Sequence, residues 1–411
     1  MDAPGPLRHA AGNHLVIAAT MTANRTVIAR TLIAGSALLL SLTAQAANTI
    51  RISYLEETRP AETALANLAP RPADLGSAGA LLAITDNNTT GRFVQQRFEL
   101  TRLQVPQGAS GADMLARLAK AGSSLVVLNV SASAIDRLLQ QPAAKQYLWF
   151  NAGAPDDRLR QNQCRPNLLH PLPGRAMQAD ALAQYLVSRR WQKWFLVTGP
   201  KPEDKLYAAA IRRAAKRFGG RIVLDKNWNF GPDARRTAQA EVPVFTQGGD
   251  YDVLIVADEA GDFGDYLPYR TWLPRPVAGT QGLVAEGWHG SAEQWGAVQL
   301  QNRFRAQSRR DMQSVDFAAW AAVRSVGEAA TRTASADAGK LANYIHSADF
   351  QLAGFKGRTL SYRPWNGELR QPMLIAQPRA LVSMSPQDGF LHPRTDLDTL
   401  GFDAPEVRCS K

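Results

Sequence analysis

Where a run of apolar residues ends in this sequence, acidic or hydroxyl side chains tend to follow. Glu56 and Glu57 follow 50–55, Ser131 and Ser133 follow 125–130, and Asp258 and Glu259 follow 251–256. Asp156 and Asp157 come shortly after 147–151, with Ala154 between, and Asp204 lies beyond Gly199 and Pro200, which close 194–198. If the apolar runs are parallel strands, these residues sit on loops at the strands' carboxyl ends, where open α/β sheets bind small molecules. Their other employment is to be solvated or to cap the next helix. A second group is aromatic and basic. Phe263, Tyr266, Tyr269 and Trp272 offer large surfaces, some with a polar handle, for lining an apolar cleft or for packing between lobes. Arg270 and Arg275 suit a carboxylate. All of these are candidate ligand contacts.

Catalytic chemistry is harder to place. It needs a nucleophile, a base and an electrostatic stabiliser brought together, and the chain has no Gly-x-Ser-x-Gly elbow. Gly219-Gly220 and Gly248-Gly249 lack both the dinucleotide fingerprint and the phosphate-loop Lys-Ser/Thr. His170 and His289 have no acid at a telling local spacing. The acidic, glycine-bearing run 258–265 lacks the alternating carboxylates and terminal Glu of a calcium loop. No cofactor or metal is expected from these motifs, and convergence of distant residues on a hidden activity stays as a minor alternative.

The elements that position these residues alternate. Apolar runs at 50–55, 98–103, 125–130 and 147–151 are separated by the Ala/Leu-rich stretches 77–83, 111–121 and 133–139. The pattern restarts with a helix over 175–189, strands at 194–198, 221–224 and 251–256, a helix at 206–218, and a short strand within 277–285. Short apolar strands alternating with helices predict an α/β fold with parallel sheets covered on both faces. Helices follow at 294–305 and 316–331, with Trp320 and Val323 on one core-facing side. Asn366-Gly367 predicts a hairpin turn between 360–363 and 370–375. The restart places one lobe at 47–172 plus about 283–345 and a second at 173–282 plus about 346–411, with Leu172-Pro173-Gly174 as the first hinge segment.

The chain has 411 residues, enough for more than one lobe, and a formal charge of +11. Its basic residues are scattered rather than blocked, which argues against nucleic acid as a partner. At the amino end, Arg25 and Arg30 precede the apolar run 31–42, and Ala44-Gln45-Ala46 follows. A basic region, a short apolar region and a small-x-small site in that order predict a signal peptide over 1–46 and export to a periplasm. Met21 offers an alternative start that would leave 1–20 outside the protein. No later segment reaches spanning length without charge, so a soluble protein is expected. Export permits Cys164 and Cys409, the two cysteines, to pair as one long-range bridge.

These features resemble the type 1 periplasmic binding proteins, in the branch serving branched-chain amino acid and amide transporters. The resemblance spans roughly 49–380. It rests on the first strand, on 80–86 ending in Asn87-Asn88, on 125–130, on Leu148-Trp149-Phe150-Asn151-Ala152-Gly153-Ala154, on the helix from Arg175, and on Phe355-Lys356-Gly357 with the late hairpin. Four runs look closer still to the subset encoded with pyrroloquinoline quinone (PQQ)-dependent alcohol dehydrogenase systems: 85–93, 245–248, 266–272 and 385–392. The resemblance implies two Rossmann-like lobes on a multi-segment hinge, a small-molecule solute in the cleft between them, and an ABC transporter permease as partner. It also brings in a PQQ-dependent dehydrogenase as a second partner, and with it the alternative of a sensor or assembly factor that hands no solute on. There is one departure. Residues 151–157 contain no Ser or Thr to fix an amino acid's carboxylate, which weakens the amino-acid reading.

Overall fold

The structure, a computed structural model, describes residues 48–58, 71–229 and 234–409. The signal segment expected over 1–46 lies outside these residues. The first run of elements is β1 (Asn48–Thr58), α1 (Ser77–Gly91), β2 (Gln96–Pro106), α2 (Gly111–Ala121), β3 (Leu125–Asn129), α3 (Ala132–Leu139), β4 (Leu148–Asn151), the one-turn α4 (Arg158–Gln161) and β5 (Leu168–Leu169). Its strands pair in parallel in the order β2-β1-β3-β4-β5. Every residue of β3 is buried, as expected of a central strand with both faces covered. Val127 and Phe150 face one core layer, Val126 and Trp149 the other, following the two-residue repeat of a strand.

The second run is α5 (Arg175–Ser188), β6 (Lys193–Thr198), α6 (Pro202–Phe218), β7 (Arg221–Asn227), α7 (Ala234–Phe245), β8 (Val253–Ala257) and β9 (Val277–Gly279), with a parallel sheet ordered β7-β6-β8-β9. Two core layers again flank it, one built on α5 and α6 and one around Trp228, Tyr251 and Phe263. The α/β class and the pair of parallel-sheet lobes expected from the alternation are therefore present.

After β10 (Val284–Glu286) the chain returns to the first lobe through α8 (Ala297–Ser308), α9 (Ser314–Thr333) and α10 (Ala338–Ile345), which bury Phe304, Trp320 and Leu341 in the first core. α1 and α9 pack so closely that a Cβ on Gly79 would stand 1.9 Å from the Asp316 carbonyl oxygen. The remaining strands are β11 (Leu352–Ala353), β12 (Thr359–Tyr362), β13 (Leu369–Arg370), β14 (Met373–Gln377) and β15 (Ala380–Ser385). The expectation that the chain joins the second lobe from about residue 346 needs correction. Leu352, Leu360, Tyr362 and Leu369 lie in the first core, and the Tyr362 hydroxyl meets Ser325 Oγ of α9 at 3.0 Å. The passage falls at β14, where Leu374 faces the first core while Met373 and Ile375 face the second. The Asn366-Gly367 turn forms as expected, with Gly367 at φ 69° and Tyr362 opposite Leu369. Its second strand, expected as one run, splits into β13 and β14 around Gln371 and Pro372; proline has no N–H to give a ladder.

Three passages between the lobes run side by side. Gln371 Nε2 donates to the Pro171 carbonyl at 2.9 Å, and a Cβ on Gly287 would stand 3.3 Å from Pro173.

Candidate functional site

The carboxyl ends of the two parallel sheets are turned toward a common cleft of about 650 Å³. Leu75, Pro155 and Val315 wall it from the first lobe; Tyr207, Glu259 and Thr280 wall it from the second. Glu286, on the β10 passage between lobes, also lines it.

The loop after β8 is held rigidly. The Asp258 carboxylate accepts from the backbone N–H groups of Asp262, Phe263 and Gly264 at 3.0, 2.8 and 2.6 Å. Asp204 caps α6 by accepting from Lys201 N at 3.0 Å, and its other oxygen accepts from Glu259 N at 2.8 Å. Gln281 Nε2 donates to the Asp258 carbonyl at 2.9 Å, and Thr280 Oγ1 accepts from Asp258 N at 2.9 Å. Asp204 and Asp258 thus build the loop through their carboxylates rather than presenting those groups to a solute.

Arg175, the first residue of α5, spans the cleft near the hinge. Its Nε and Nη2 each donate to one Glu259 oxygen at 2.7 Å, and Nη1 lies 3.2 Å from Asp156 Oδ2 on the first-lobe loop. Burial raises the Glu259 carboxyl pKa, and the Arg175 charge opposes that rise. The chain after β4 is fixed too. Asp157 Oδ1 accepts from Ala176 N at 2.9 Å, yet burial pushes its carboxyl up to about 7. The Ala154 carbonyl accepts from Asn151 Nδ2 at 2.8 Å and Arg160 Nη1 at 3.2 Å. Behind it, Arg160 and Arg363 share Glu368, at 3.2 and 2.7 Å, and Arg363 Nε also donates to Asp398 at 2.9 Å. This buried charge network ties the hinge to the carboxyl-terminal tail.

Glu286 differs from the other acids of the cleft. Among the described residues no hydrogen bond or ion pair reaches its carboxyl, and burial alone pushes it up to about 7. It also borders a neighbouring cavity of about 700 Å³ that contains His289, Asp311 and Arg379. There His289 Nδ1 lies 2.7 Å from Ser291 Oγ, and Asp311 is taken by Gln301 and Arg305.

The structure does not gather all the sequence-based candidates. Glu56 accepts from Gln104 Nε2 at 2.9 Å, and Glu57 accepts from Ser131 N at 2.7 Å, at the start of α3. Ser131 caps α3, and its hydroxyl lies 3.1 Å from that of Ser133. Phe263 is core, stacked on Trp228 with ring centres 4.5 Å apart. Tyr269 is fully exposed and Trp272 is exposed; Tyr269 and Arg270 border a separate surface depression beside Gln239 and Pro243. Arg175, Tyr207, Gln281 and Glu286 were not singled out by sequence reasoning. In the sequence Arg175 only opens a helix, and Glu286 stands one residue past the weakest strand expected.

Cys164 and Cys409 are joined, with Cα atoms 5.4 Å apart, and no free cysteine remains among the described residues. Among those residues no helix is long and apolar enough to cross a membrane, and no cluster of His, Cys, Asp and Glu suits a metal.

A sequence profile described as periplasmic binding protein matches residues 77–249. A comparison with curated proteins found no match. Solved structures match over most of the chain. A branched-chain amino acid ABC transporter periplasmic ligand-binding protein from Burkholderia xenovorans superposes with a TM-score of 0.66 at 17% identity, over 88% of this chain and 99% of its own. A branched-chain amino acid transporter substrate-binding protein from Streptococcus pneumoniae, in complex with isoleucine, gives 0.61 at 17%, over 82% and 99%. A solute-binding protein from R. palustris in complex with benzoate gives 0.58 at 11%, over 80% and 92%. The fold is that of the type 1 periplasmic binding proteins.

Proposed function

We propose that the protein captures a small molecule between its two lobes in the periplasm and delivers it to an ABC transporter, as a carrier and not a catalyst. The observation that supports this most is the cleft at the carboxyl ends of both sheets, walled from each lobe and spanned by Arg175. Ligands of open α/β sheets bind at that end, and lobes joined by adjacent passages can close by hinge motion. Two of the solved structures similar in fold hold isoleucine and benzoate, small organic solutes of a size suited to such a cleft.

The test is thermal unfolding of the purified protein against amino acids, amides, short alcohols and acids, amines and PQQ. A solute that binds only the folded state raises its apparent stability. A saturable rise with one chemical class supports capture. No rise with any of them at millimolar concentration removes it.

A second reading has its own observation. The run 266–272, one of those resembling the PQQ-linked subset, places Tyr269 and Trp272 in the open on the second lobe, suited to contact with another protein. In this reading the chain serves a PQQ-dependent alcohol dehydrogenase as sensor or assembly factor. Co-purification with that dehydrogenase, lost on Tyr269→Ala and Trp272→Ala, separates it from transport.

A further inference from the structure

The walls of the cleft contain three acidic side chains, Asp258, Glu259 and Glu286, against one basic, Arg71. Two of the three acids are already satisfied: Asp258 by three backbone N–H groups and Glu259 by the two-pronged Arg175 pair. Arg71 is also engaged. In the adjoining cavity Arg305 is held by Asp311, and Arg379 is exposed. Glu286 alone has a half-buried carboxyl with no hydrogen-bond or ion-pair partner among the described residues, and it lines the space the solute would fill. An ionised carboxyl partly withdrawn from water and without a partner is costly; a cation seated beside it offsets that cost. A ligand carboxylate in the same place would meet an excess of acidic groups and no unengaged cation among the described residues lining the cleft; Arg379, the unengaged cation nearby, lines the adjoining cavity and is exposed.

From this we infer that the solute has a cationic centre and no carboxylate, and that Glu286 is the group that selects it. The inference rests on the capture reading and adds the class of solute. Leu75, Val284 and Val315 on the walls suit an apolar body attached to the cation.

A chain-matched set of probes tests it: hexylammonium, hexanoate and the amino acid norleucine, each titrated by calorimetry into the protein. Hexylammonium should bind saturably and the other two should not. Glu286→Gln keeps the shape and should leave the unliganded protein at least as stable, while weakening hexylammonium about 30-fold, the loss expected when a buried charged hydrogen bond loses its ion. Val298→Trp, which fills the adjoining cavity from its exposed rim, should leave binding unchanged. Binding of hexanoate or norleucine, hexylammonium binding indifferent to Glu286→Gln, or no binding of hexylammonium at all each overturns the inference. A rise in stability with some uncharged or anionic solute of the wider panel would then leave capture standing without it.

Discussion

Arg175 holds Glu259 through two parallel hydrogen bonds, Nε and Nη2 each 2.7 Å from a different carboxylate oxygen. The same guanidinium reaches Asp156 on the opposite lobe at 3.2 Å. One side chain, itself nearly buried, thus joins the loops after β4 and β8. Replacing it with alanine strands two acids at the cleft, at a cost of about 3–5 kcal/mol. Lysine should restore only part of this, because a point charge cannot serve both partners in fixed geometry. Urea unfolding of Arg175→Ala and Arg175→Lys measures the difference; equal stability of the two variants would count against the bridging role.

The pH dependence follows from Asp157 and Glu286. Burial raises both carboxyls, from 3.8 and 4.5 to about 7. A carboxyl whose folded pKa lies above its unfolded value contributes its full stability below the unfolded pKa and loses it as pH rises through the folded one. The protein should therefore lose stability between about pH 4 and 7 through these two groups. Glu286 accounts for at most about 3 kcal/mol of it. Glu286→Gln should flatten that part of the curve and raise Tm at pH 8. A slope left unchanged by Glu286→Gln in thermal melts across pH 4–8 would show that burial does not raise its carboxyl.

Cys164 and Cys409 close a loop of sequence separation 245 and fasten the tail onto α4, where Arg408 N also donates to the Gln161 carbonyl at 2.7 Å. Reduction, or Cys164→Ser with Cys409→Ser, should cost about 2–5 kcal/mol. Upstream, the tail stays docked because the Asp180 carboxylate accepts from Gly401 N at 2.9 Å and pairs with Arg213 and Arg217. Limited proteolysis after reduction should therefore cut beyond 401 before it cuts elsewhere in the tail; first cleavage upstream of Asp396 would contradict this.

Arg363 is buried between Glu368 and Asp398, and its Nη2 donates to the carbonyls of Leu397 and Leu400 at 3.0 and 2.5 Å. Arg363→Met leaves both carboxylates short of a cation and should destabilise the fold by about 3–5 kcal/mol. Chemical denaturation gives the value, and a loss under 1 kcal/mol would mean that Arg160 on Glu368 and Arg370, 2.8 Å from Asp398, suffice.

Tyr269 and Trp272 lie outside the cleft walls, so alanine at either position should leave solute affinity within about twofold of the parent. Titration of each variant with whatever solute the panel identifies decides this; a tenfold loss would place the aromatic loop at the cleft after all.

The alternation of apolar and polar residues was readable because burial imposes a local period. β1, β3, β6 and β8 fall where that period places them, and Asn366-Gly367 turns where it should. Phe263 and the run 266–272 show where such reading stops. An aromatic side chain has the same chemistry in a core, in a cleft and on a surface, and only packing distinguishes Phe263 stacked on Trp228 from Tyr269 in the open. The acids after the strands were legible as a group, but not which would cap a loop.

From sequence alone came the α/β class, the pair of parallel-sheet lobes and the pairing of Cys164 with Cys409, because each rests on local pattern or on a two-member choice. The tertiary structure decided the charges. Arg175 meets Glu259 across 84 residues, and Glu286 is distinctive for the partner it lacks. Partnership between distant side chains depends on distances of a few ångströms set by the whole packing, and no local spacing encodes it.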